Sequence, residues 1–85
     1  MGRGIKVLDV VQQDGLSISV AGRYFAISDA RQIYNDSKTK EDIKDDSVMI
    51  EVRNDKGILS HIIFGAEEGE KFALGLLNIC HSIRY

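Results

Sequence analysis

The sequence has no proline, no tryptophan and a single cysteine, Cys80. With one thiol, no intramolecular disulfide can form and no multi-cysteine zinc site can be built from one chain. A reducing, cytoplasmic setting is the expectation. An excess of one charge is also missing, because eleven Lys and Arg stand against thirteen Asp and Glu, for a net charge of -2. Such a chain carries no long-range field to draw in nucleic acid, an acidic membrane or a polyanionic substrate. No stretch approaches the roughly 18 apolar residues of a spanning helix, since Ser60 and His61 interrupt the run from Ile58 to Phe64. Membrane insertion is not expected. Asp9 falls where the apolar region of a cleavable export signal would have to lie, so no such signal is expected either.

What the sequence does contain is the composition of an ordinary soluble domain: 85 residues, 44% hydrophobic and 28% charged. That length allows one small domain over residues 1–85 with a modest core. From Ile5 the pattern is extended until Asp14-Gly15, a pair that supplies the two positive φ angles of a type I′ hairpin turn. Pairing Gln13 with Leu16 across it sets Val7 and Val11 on one face with Leu16, Ile18 and Val20. A further alternation, Arg23 to Ser28, reads as a third strand that adds Phe25 and Ile27 to that inner face.

Asp29-Ala30-Arg31-Gln32 matches a capping box and predicts a short helix. From Asp36 to Asp46, eight of eleven residues are charged, which reads as an exposed connection. Ser47–Arg53 and Ile58–Phe64 alternate again around Asn54-Asp55-Lys56-Gly57 and form a second hairpin. With Gly57 left-handed in a three-residue loop, Val52 opposes Ser60, Ile50 opposes Ile62, Val48 opposes Phe64, and Glu51 faces His61. After Gly65, the glutamates 67, 68 and 70 suit a helix N-terminus, and Phe72, Leu76, Ile79 and Ile83 recur at helical spacing. Gly75 within that helix suggests a close approach to the sheet. The expected fold is α+β: about five antiparallel strands, a three-strand meander plus a C-terminal hairpin, with a short helix after strand 3 and a long terminal helix packed on the sheet.

Chemistry is hard to find in this pattern. Cys80 and His81 are helical neighbours that point about 100° apart, and Cys80 sits in the apolar stripe of its helix. No histidine or cysteine pair has zinc-site spacing, the acidic stretch fails as a calcium loop at Glu41, and no phosphate-binding or hydrolase motif is present. No catalytic residue, metal or cofactor is expected. Glu51 opposite His61 is the one polar pair of interest, since a cross-strand carboxylate favours the imidazolium and makes the pair pH-sensitive.

The derived registers place Leu8, Val10, Ser17, Ser19, Tyr24 and Ala26 on the outer face of the meander, with Lys6 the sole charge there. Small residues around two aliphatics and a tyrosine read as a contact surface. The leading expectation is therefore a small non-catalytic interaction or regulatory protein, acting through protein–protein contacts and simplest as a homodimer. An alternative is a sheet that binds single-stranded nucleic acid or a phosphate ligand, with Lys6, Arg23 and Arg31 on phosphates and Tyr24 stacking. Two hairpin-built segments followed by a long helix also resemble, in element order, the end of a pleckstrin-homology-like domain. The resemblance implies a strongly bent binding sheet closed by that helix, with extra strands drawn from Asp29 to Asp46. An enzyme is the least favoured reading.

Overall fold

The computed structural model describes residues 5–11 and 14–85, in the order β1 (Ile5–Leu8), β2 (Ser17–Gly22), α1 (Ile27–Thr39), β3 (Val48–Asn54), β4 (Gly57–Phe64) and α2 (Ala66–Arg84). The strands make one antiparallel sheet in the order β1-β2-β3-β4. The class is α+β, with four strands rather than five.

The β3–β4 hairpin carries the cross-strand pairs that alternation specifies: Val48 with Phe64, Ile50 with Ile62, Glu51 with His61 and Val52 with Ser60. Its closure differs from the expected three-residue loop. Asn54 pairs with Gly57 around Asp55-Lys56, and an irregularity between Val52 and Arg53 takes up Leu59 as a bulge. Gly57 takes φ +135, which side-chain-bearing residues rarely adopt. The Asn54 carboxamide accepts the Lys56 N–H at 2.9 Å and fixes the turn.

Between β1 and β2 the pairs run from Ile5 with Val20 to Leu8 with Ser17. The expected partner of Leu16, Gln13, lies outside the described residues. The Leu16 carbonyl instead accepts the Asp9 N–H at 2.9 Å, so the connection is wider than a two-residue turn. The shift from the expected register is an even number of residues, so Val7, Ile18 and Val20 still share a face. Gly15 takes φ +76, and a Cβ there would collide with the Asp55 carboxylate where this loop meets the β3–β4 turn.

The expected third strand does not form. Residues 23–26 bend away from the sheet, Phe25 is exposed, and Ile27 opens α1. The free edge of β2 is taken by β3, which pairs along all of it from Ser17–Arg53 to Gly22–Val48, with Val20 on Ile50 and Ile18 on Val52. A strand at 23–28 would compete for that edge with fewer β-branched pairs to offer. Helix α1 in turn runs 13 residues, past the expected short helix and into the charged stretch. No proline or glycine interrupts it, and Asp36 accepts from the Gln32 side chain at 3.0 Å and lies 3.7 Å from the Lys40 ammonium, both at i,i+4 spacing. Asp29 lies in the first turn, but the N-cap is Ala26, with no side-chain cap.

Asp45 anchors the start of α2. Its Oδ2 accepts the Ala66 N–H at 2.8 Å and its Oδ1 accepts the Ser47 N–H at 3.1 Å, so one carboxylate serves a helix start and the lead into β3. A Cβ on Gly65 would press on that same carboxylate, and one on Gly69 would lie 3.1 Å from the Phe64 ring. The first turn of α2 is thereby fixed, but the rest of the helix is not packed down as expected. Phe72, Leu76 and Ile79 are more than half exposed, Ile83 more so, and no atom lies near Gly75. The only buried hydrophobic side chain among the described residues is Ile50, at 7%. Replacing the cap in Asp45→Ala should cost about 1 kcal/mol, read as a lower midpoint in urea unfolding.

Candidate association interface

Residues opposed across antiparallel strands point to the same side of a sheet, so the registers divide its two faces. One face carries Ile5, Val7, Ile18 and Val20 from β1 and β2, then Val48, Ile50, Val52, Ile62 and Phe64 from β3 and β4. No charged residue occurs on it. The other face has a row of Lys6, Ser19, Glu51 and His61 across all four strands. Glu51 is its centre, 2.8 Å from Arg53 Nη2 and 3.7 Å from His61 Nε2.

The charge-free face is open. Ile5, Val7 and Ile62 are exposed, and a groove of about 560 Å³ separates this face from the first half of α2. Ala66, Gly69, Glu70, Phe72, Ala73 and Leu76 form the helical wall of that groove, whereas Ile79 and Ile83 do not line it. The apolar stripe of α2 therefore runs on past the surface it was expected to cover. Leu74, on the opposite side of the helix, is exposed as well. Leu74 stands there beside Lys71, Asn78 and His81, so that side of the helix is polar apart from it.

Next to this groove, the connections among β2, α1, β3 and α2 are held by polar contacts. Asp46 accepts the Tyr24 hydroxyl at 2.7 Å and lies 2.7 Å from Arg23 Nη1, and Glu67 accepts the Tyr34 hydroxyl at 2.8 Å and pairs with Lys38. These contacts tie the β2–α1 connection to the approach to β3, and α1 to the start of α2. The Tyr24 hydrogen bond and the Arg23 charge hold the Asp46 carboxyl below its ordinary range, and Asp46 in turn raises the Tyr24 phenol. Lys38 and Tyr34 lower Glu67, which raises Lys38. A cavity of about 510 Å³ lies beside this cluster, bordered by Tyr24, Arg31, Tyr34 and Glu70.

The six residues read from the sequence as one contact strip are not brought together. Leu8, Ser17 and Ser19 lie on the charged face, Val10 is exposed in the β1–β2 connection, Tyr24 is engaged with Asp46, and Ala26 caps α1. Ser17 is buried, at 3%, and its hydroxyl has no hydrogen-bond partner among the described residues. Lys6, Arg23 and Arg31 stand on β1, the β2–α1 connection and α1. Residues 29–39 are helical, so the strands that a pleckstrin-homology-like sheet would draw from this segment are not there. Among the described residues, no cluster of His, Cys, Asp or Glu is placed to hold a metal ion, and no helix is long and apolar enough to cross a membrane.

No protein-family model, curated protein or solved structure matches this chain. Its function is argued from its own surfaces.

Two outcomes test this geometry. Asp46→Asn should return the Tyr24 phenol toward its ordinary value of 10.0, seen as one of the three tyrosines ionising earlier in an ultraviolet titration. The native pair contributes stability at neutral pH, lost below 3.8 as Asp46 protonates and above 10.0 as Tyr24 ionises. Ser17→Ala removes a buried hydroxyl with no partner and should leave stability unchanged or raise it by about 1 kcal/mol, measured by urea unfolding.

Proposed function

We propose that this chain is a small non-catalytic interaction protein that acts through protein–protein contacts and associates with itself as a homodimer. The supporting observation is the surface the single chain leaves uncovered, large aliphatic side chains prominent in it. Its accessible surface is 6888 Å², against about 5,000 Å² for a folded monomer of this mass. Its radius of gyration is 15.0 Å, against about 12 Å for a compact domain of this length. Burying the excess on both partners would remove roughly 3,800 Å², within the range of obligate homodimers. The charge-free sheet face and the stripe of α2 have the apolar character of such interfaces.

The surface so proposed is the inner face and the terminal helix, not the strip around Leu8 and Tyr24. Nucleic-acid binding has less support, because Lys6, Arg23 and Arg31 sit on separate elements and Arg23 is engaged by Asp46.

Light scattering behind size exclusion should give twice the chain mass, and the thermal midpoint should rise with protein concentration. Leu76→Lys should weaken association at least about tenfold, and Tyr24→Ala should leave it unchanged. A monomer at every concentration, with a midpoint independent of concentration, overturns the proposal.

A further inference from the structure

We propose that the two copies exchange their terminal helices, so that Leu76–Ile83 of one α2 lies in the groove between the sheet and the first turns of the other copy's α2, the two helices antiparallel. This rests on the reading that the chain self-associates, and it adds what covers each surface.

Three observations support the arrangement. The first is that the chain cannot close the groove with its own helix. Asp45 and the Glu67 contacts fix where α2 starts, and that helix lines the groove only from Ala66 to Leu76, with Glu70 its one charge there. Ile79 and Ile83 are left with no surface of their own chain to cover.

The second is fit. Four strands span about 14 Å from edge to edge, and a helix with its side chains is about 10 Å across, so one helix suffices to cover the open face. The segment from Leu76 to Ile83 is about 12 Å long, comparable to the four paired residues of β1 at about 13 Å. Floor and occupant are matched in chemistry, because neither Ile5, Val7, Ile18 and Val20 nor Leu76, Ile79 and Ile83 is accompanied by a charge on its own face.

The third is polarity. The first turns of α2 carry Glu67, Glu68 and Glu70, and its last turn carries His81 and Arg84. An antiparallel pair lays the basic end of each helix against the acidic start of the other and opposes the two helix dipoles. A parallel pair would stack glutamates on glutamates. The antiparallel arrangement repeats the same contact in both directions, as a two-fold interface requires.

The test uses a spin label on the polar side of α2, placed by Asn78→Cys in a Cys80→Ser background. This labelled chain, unenriched in isotope, is mixed with a nitrogen-15 Cys80→Ser chain, so every effect on the spectrum is intermolecular. The expected result is loss of amide intensity at Ile18, Val20 and Ile50, recovered when the label is reduced with ascorbate. Loss confined to α2, or to the β4 edge, in a sample with dimer mass overturns the exchange and leaves self-association standing. A monomer mass for the mixture overturns both. If the Asn78→Cys chain does not fold, a label at Ser82→Cys in the same Cys80→Ser background, also off the apolar stripe, gives the same reading.

Discussion

Strand β2 has two edges, and β3 occupies the one that β1 leaves free. Most of the molecule follows from this pairing. It brings Val20 onto Ile50 and Ile18 onto Val52, and so gathers the β-branched side chains of four strands on one side. It excludes residues 23–28 from the sheet, which frees Ile27 to begin a helix. It also brings Glu51 and Arg53 beside Ser19 and Ser17, turning what would have been a weakly polar strip into a charged face. The two faces thereby acquire opposite characters, one carrying its charges in a row and the other carrying none.

Polar contacts decide where the helices go. Asp45 has two oxygens and uses both, one on the lead into β3 and one on the first turn of α2. Glu67 accepts from α1, and Asp46 holds the Tyr24 hydroxyl and the Arg23 guanidinium. These contacts are part-buried or exposed, and each contributes modestly to stability. Their effect is on direction: they set the angle at which α2 leaves the sheet, and with it the groove that α2 does not fill itself.

A chain of this size gains little from a core that, among the described residues, is reduced to Ile50, since burial of apolar area is the main favourable term in folding. The uncovered surfaces are too extensive and too free of charge to be ordinary solvent-facing area. In the proposed homodimer, association would supply that burial and would link the stability of this fold to its concentration.

The alternating pattern by itself determined the β3–β4 pairs from Val48–Phe64 to Val52–Ser60, including Glu51 opposite His61, because a two-residue period admits few registers, while the bulge and the two-residue closure beyond them were not legible in it. It also determined the terminal helix and the grouping of Val7, Ile18 and Val20, which survives any even shift. Tertiary structure alone decided which strand takes the second edge of β2, since residues 23–28 and 48–54 both alternate and only their competition for one set of backbone groups separates them. The same holds for α2. Its apolar stripe is written in the sequence, but whether that stripe meets its own sheet depends on the direction imposed by Asp45, 21 residues before Ala66 in the chain, and no local pattern encodes a contact made across that distance.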